Sequence, residues 1–391
     1  MKRLMFSLML TSMAVLGADT PAEEIAQALR SDDPRTARSA VAAVIADERL
    51  VPVALASLPS LKDEAKAQVL FALMRHPEAA GVRPALLAAL TDESLPVRLA
   101  GIRAAVKTAD AQALPALFAM TSKPEEEGRA ATLAMAAMAA SETDAFLYGE
   151  MKKADSARAK AIGMLAARGE PELVKRLCDP ELYAVAGVSV AAGGAFRACV
   201  KQETFEPALA FTFGPLPASQ RAPLVSALAS VIQQLPDEAG ALRAVAGLLA
   251  KAGAADKTEM VALLGGVQTE GSRDLLAAQT QAEDIELRKA AVRVLAKWNS
   301  ALAIAPLMGV AREDKDRAVR VLAVRGMLTL LQKPDAIAKD QKLAVMTGLA
   351  AVAERAEEKK ALLALVIAVG GPAAEALQRQ LTEATSASGA P

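Results

Sequence analysis

Between residues 20 and 380 the apolar positions recur at steps of three and four, and short polar clusters punctuate them. Leu86, Leu87 and Leu90 share one side of a helix, and so do Val97, Ala100, Gly101 and Ala104. This is the period of an amphipathic α-helix and not the alternation of a half-buried strand. The segment from Asp92 to Arg98 supplies a start signal. Thr91, Asp92 or Ser94 can cap the helix, and Pro96 suits a first turn, where its missing N–H costs nothing. Apolar runs at 50–58, 81–90, 111–120, 275–279 and 302–311 read as further helices, the fourth a short one.

The start signal repeats along the chain. Similar segments run from Asp32 to Ala40, Asp284 to Ala291 and Asp316 to Ala323, with weaker versions around Lys66, Arg129, Arg158, Arg221 and Lys257. The basic anchors are Arg38, Lys66, Arg98, Arg129, Arg158, Arg221, Lys257, Arg288 and Arg320, with a missing member expected near Val190. A period near 31 corresponds to two helices and two short turns, one helical hairpin per repeat. Each hairpin carries an apolar stripe it cannot bury alone, so stacking is required, at about 1.5–3 kcal/mol per fully buried Leu or Ile. The spacing predicts one continuous array of eleven or twelve hairpins over 19–383, irregular at about 180–220, and a disordered tail at 384–391.

Composition sharpens this. The chain has 391 residues, 53% hydrophobic but only 3% aromatic, and alanine fills close to a quarter of it. Alanine and leucine favour helix, and the scarcity of aromatics argues against strands, so the fold class is all-α. Forty-five basic and 45 acidic side chains cancel. A neutral chain lacks the surplus of cations that nucleic-acid binding demands. Residues 1–18 place Lys2 and Arg3 before an apolar run ending near Leu16, then Gly17 and Ala18, the order of a secretory signal peptide. The mature protein is expected to be exported, periplasmic or extracellular. The apolar stretch at 361–369 is too short to span a bilayer.

The motif Asp92, Pro96, Val97, Arg98, Ala100, and in part Asp284, Leu287, Arg288, Ala291, resembles the HEAT-repeat family of armadillo-like α-solenoids. The stretch from Ala291 through Trp298 to Leu307, with Val319 to Gly326, is similar to exported bacterial HEAT-repeat proteins. The resemblance implies an α-α superhelix of helical hairpins, found with sugar-processing or cytochrome modules or alone. Tetratricopeptide and ankyrin patterns fit less well, for want of aromatics and of Thr-Pro-Leu-His.

Few residues invite chemistry. His76, the only histidine, sits in a helix junction without a partner for catalysis or metal binding. Iron-binding hydroxylases of HEAT type require His-Glu pairs, which the chain lacks. The carboxylates at 125–127 and 357–358 read as solvated helix starts. Gly193-Gly194 and Gly265-Gly266 lack the strand–turn–helix setting of a phosphate cradle and read as helix ends. Cys178 and Cys199 are candidates for a disulfide in an oxidising compartment or for two buried thiols. Trp298 reads as a plug between repeats or a stacking platform. Tyr183, Phe196, Phe205, Phe211 and Phe213 fall within 31 residues, where they either fill gaps between irregular helices or anchor a partner. Phe205, Phe211, Phe213 and Trp298 are thus the candidate partner-binding residues. No catalytic, cofactor or metal site is expected. The function read from the chain is a non-catalytic exported scaffold or adaptor gripping a protein partner. The alternative is a HEAT-fold protein that holds a small molecule, as bilin lyases do, or assists an envelope enzyme.

Overall fold

The computed structural model of the chain describes residues 20–123, 125–138, 140–153, 156–333 and 337–387. The segment read as a signal peptide and the end of the tail lie outside these. Among the described residues every regular element is a helix. The chain divides into two compact units, the first ending at Glu150 and the second beginning at Met151. The boundary falls in a helix that buries Thr143 and Glu150 beside Leu147 and Met151.

The first unit holds α1 (Ala22–Leu29), α2 (Pro34–Ala46), α3 (Val51–Ser57), α4 (Asp63–Leu73), α5 (Val82–Ala89), α6 (Leu95–Thr108), α7 (Leu114–Met120), α8 (Glu125–Ala137) and α9 (Ala140–Met151). Two layers result, because each first helix packs on the next first helix (α1 on α3, α3 on α5) and each second on the next second (α2 on α4, α4 on α6, α6 on α8). Ile25, Leu29, Val44, Val51, Leu70, Leu73, Val82 and Leu86 form the core between the layers. Single-turn 3-10 segments lead into α3 and α7, so these helices start slightly later than the apolar runs suggest.

The second unit continues with α10 (Ala157–Arg168), α11 (Leu173–Leu177), α12 (Val188–Cys199), α13 (Gln202–Phe213), α14 (Ala218–Ile232), α15 (Glu238–Lys251) and α16 (Ala254–Leu263). It ends with α17 (Glu270–Gln279), α18 (Ile285–Lys297), α19 (Ile304–Glu313), α20 (Arg317–Gln332), α21 (Lys339–Val352), α22 (Ala356–Val369) and α23 (Pro372–Ala387). Second helices again stack in order from α10 through α22. Each unit is therefore a pile of HEAT-like helical hairpins. Asp33, Asp284 and Asp316 cap α2, α18 and α20, each accepting two backbone N–H groups of the first turn.

The stretch at 180–220 keeps the stack intact. Its irregularity is confined to a very short α11, the 3-10 turn Pro180–Ala184 and Pro207 inside α13. The helix α12 occupies the place of the missing repeat member. Gly193 and Gly194 lie in its interior, which corrects the reading of them as a helix end. A Cβ on Gly193 would meet the Pro223 carbonyl oxygen at 2.8 Å, so the close crossing with α14 requires a glycine there. Gly265 and Gly266 do end α16, in a 3-10 turn.

Candidate functional site

Five of the basic anchors, Arg98, Arg158, Arg221, Arg288 and Arg320, are built into the loops before their own helices. Arg98 donates to the carbonyls of Asp92 and Glu93 at 2.8 Å each and to Glu127 at 2.9 Å in the next second helix. Arg288 repeats the arrangement with Ala282 and Glu283, then Asp314, and Arg320 with Asp314 and Lys315, then Glu354. Arg221 donates to Leu216 and pairs with Asp256 and Glu259. Lys66 reaches Asp92 and holds its carboxyl below the usual range through that hydrogen bond. Arg158 is buried and spends its guanidinium on the carbonyls of Met151, Lys152, Glu181 and Leu182. These cations tie each loop to the next hairpin and are not free for a partner. Arg38 and Arg129 lie exposed instead.

The predicted partner-binding aromatics are core residues. Phe205, Phe211, Phe213 and Trp298 are 1, 4, 6 and 0% exposed, so none presents a ring to solvent, and their role as anchors is corrected. Tyr183 packs on Phe211 with centroids 5.5 Å apart, and its hydroxyl donates to the Leu177 carbonyl. Arg221 lies over the Phe213 ring at 5.9 Å. Trp298 ends α18 and plugs the core, its backbone carbonyl accepting from Lys333.

The disulfide is corrected too, since both cysteines are free thiols. Cys178 donates to Val174 one turn back in α11, whereas Cys199 faces the Ala166 carbonyl in α10. Burial pushes the Cys178 thiol up to about 11, which suits a small core residue better than a nucleophile. His76 is a junction residue whose Nε2 donates to the Val44 carbonyl at 2.8 Å. Among the described residues no three His, Cys, Asp or Glu side chains converge as a metal site requires, and no helix is long and apolar enough to cross a membrane.

Surface that sequence reasoning missed lies on the second helices. Among the described residues, Phe71, Leu95, Leu133, Val190 and Ile367 are the large apolar side chains left exposed, on α4, α6, α8, α12 and α22. In the second unit α14 and α16 enclose an open groove of about 660 Å³ lined by Ala218, Ala222, Val225, Ala229, Ala262 and Gly266. Arg221 and Glu259 also border it, paired with each other at 3.2 Å, and Ser226, Ser230 and Gln233 add polar groups to its otherwise small apolar walls. The signal for this surface was present: at these positions the helical stripe carries an apolar residue on the side opposite the core.

No protein-family model matches the chain, and no curated protein does. Among solved structures it is similar to the karyopherin Kap121p bound to Ste12p, at 11% identity and a TM-score of 0.46 over 94% of this chain. It spans 47% of that chain, about half its length. It is also similar to human deoxyhypusine hydroxylase in complex with glycerol, at 18% identity and a TM-score of 0.27, covering 73% of this chain and 97% of the other. These likenesses are remote, and the fold rests on the helices themselves.

Proposed function

We propose that the protein is an exported, non-catalytic scaffold that binds a protein partner on the second-helix faces of its units. The observation that carries this reading is that, among the described residues, large apolar side chains are exposed only on second helices, while those of the first helices are buried or half-buried. Scattered exposed leucines are ordinary, but the same layer repeating the exposure marks a surface kept for a partner. The order of charge, apolar run and small residues over 1–18 supports export. Sequencing the N-terminus of protein recovered from the envelope or medium tests that, the expected start following Gly17 or Ala18.

The binding claim is tested by recovering the partner with full-length protein and with a Leu133→Ser, Val190→Ser variant. Partner loss at an unchanged melting temperature supports the reading, and full recovery with the variant contradicts it. A small-molecule holder is favoured by the 660 Å³ groove alone. Its two charged side chains are spent on each other, which leaves Ser226, Ser230 and Gln233 as the polar groups that would orient a ligand there. Native mass spectrometry of the purified protein separates the two, since a retained small molecule would shift the mass.

A further inference from the structure

The exposed stripes of α4, α6 and α8 form a face whose charge is unevenly distributed. On α4 the stripe runs Glu64, Gln68, Phe71 and then Arg75 just past the helix end. On α6 it runs Leu95, Leu99, Arg103, Lys107, and on α8 Glu126, Arg129, Leu133, Ala136. These spacings keep each set on one side of its helix, and α6 packs on both neighbours. Within these stripes the carboxylates lie at the upstream ends, and Glu78, exposed in the loop past Arg75, is paired with Arg83. The downstream half carries Arg75, Arg103 and Lys107 beside Phe71, which is 52% exposed, and Leu133, which is 65% exposed. Where Lys66 and Arg98 are spent on Asp92 and Glu127, Arg75, Arg103 and Lys107 have no ion pair among the described residues. Asp110, the acid that follows α6, accepts the Gln112 backbone N–H.

We infer that this downstream half of the α4–α6–α8 face docks an acidic, amphipathic helical segment of a partner protein. The inference rests on the scaffold reading and names its location and chemistry. Neighbouring helices lie about 8–10 Å apart, so Phe71 and Leu133 flank Arg103 across roughly two such steps, the span of about a dozen helical residues. Leucine or phenylalanine side chains of the segment cover Phe71 and Leu133, and its carboxylates meet Arg75, Arg103 and Lys107. A narrow segment crossing here avoids Glu64 and Glu126. An anionic lipid surface would cover the whole face and be repelled by both.

The test is selection of a displayed library of random peptides, each about a dozen residues long, against the full-length protein, then anisotropy titration of the enriched peptides. The expected winners are rich in Asp or Glu with spaced Leu or Phe. Their binding should weaken about tenfold or more in an Arg103→Glu, Lys107→Glu variant and in salt of about 0.5 M. Leu133→Ser should weaken it with an unchanged circular dichroism spectrum. Enrichment of basic or uncharged peptides, no enrichment at all, or acidic peptides indifferent to the charge reversal would overturn the inference. So would binding of vesicles containing anionic phospholipid that the reversal abolishes while no acidic peptide binds. Partner recovery that persists in the charge-reversal variant but is lost with Val190→Ser overturns the location alone and leaves the scaffold reading standing.

Discussion

A side chain's burial decides what its charge contributes here. The Arg288–Asp314 pair has side chains 15 and 4% exposed, and Asp314 also accepts the Asp316 backbone N–H. Removing the guanidinium leaves a buried carboxylate without its partner, so Arg288→Ala should cost about 3 kcal/mol in urea unfolding. Adding Asp314→Ala should recover part of the loss, as expected of coupled neighbours. Arg83→Ala should change nothing measurable, because its pair with Glu78 is open to water at both ends. The anchors were legible as a periodic series of cations. Which of them would be spent on loop carbonyls was not, because that depends on the curl of the preceding loop.

Burial also gives the second unit an alkaline limit. Cys178 is raised from 9.0 to about 11 by desolvation, and burial raises the Tyr183 hydroxyl too. Both are held neutral in the fold, whereas the unfolded thiol ionises near 9. The thiol's contribution is complete below pH 9 and is lost as pH climbs toward 11, and the hydroxyl's begins to be lost only above its ordinary value of 10. The melting temperature should therefore fall over that window, and less steeply in Cys178→Ala. At pH 8.5 alkylation of Cys178 in the folded protein should run about a hundredfold slower than that of a free thiol.

At the scale of the helix, glycines divide into two kinds with opposite expected effects. A Cβ on Gly101 would meet the Leu90 backbone nitrogen at 2.9 Å and the Ala89 carbonyl carbon at 3.0 Å. Gly101→Ala and Gly193→Ala should each destabilise by about 1–3 kcal/mol, since backbone on the facing helix cannot yield as a side chain can. Gly163 and Gly194 meet nothing within 4 Å in α10 and α12. Gly163→Ala and Gly194→Ala should stabilise by about 0.5–1 kcal/mol through helix propensity. Thermal unfolding of the four variants checks both signs.

The same contrast shows what the chain reveals and what it withholds. Asp33, Asp284 and Asp316 announce their helices because capping is local chemistry, and α5 and α19 follow their leucine stripes closely. The aromatic run at 183–213 and the cysteine pair were ambiguous. Whether a ring faces core or water, and whether two thiols meet, depends on packing between segments far apart in sequence. α17 starts at Glu270, five residues before the apolar run, because Thr269 and Ser272 form a capping box that hydropathy does not register.

Each unit as a whole is a two-layer stack in which alanine and glycine let helices approach and leucine and valine fill the space between layers. Each layer offers a continuous face, and among the described residues the exposed large apolar side chains lie on only one of them. The difference between the layers is the central claim. It is tested most directly by placing a photoreactive amino acid, one position at a time, in full-length protein inside its own cell. Second-helix sites are Phe71, Leu133, Val190 and Ile367, and first-helix sites are the exposed Gln27 in α1 and Ala278 in α17. The account predicts a discrete protein adduct of one mass from the second-helix sites and none from Gln27 or Ala278. Adducts formed equally from both layers, or from the first helices alone, would contradict it.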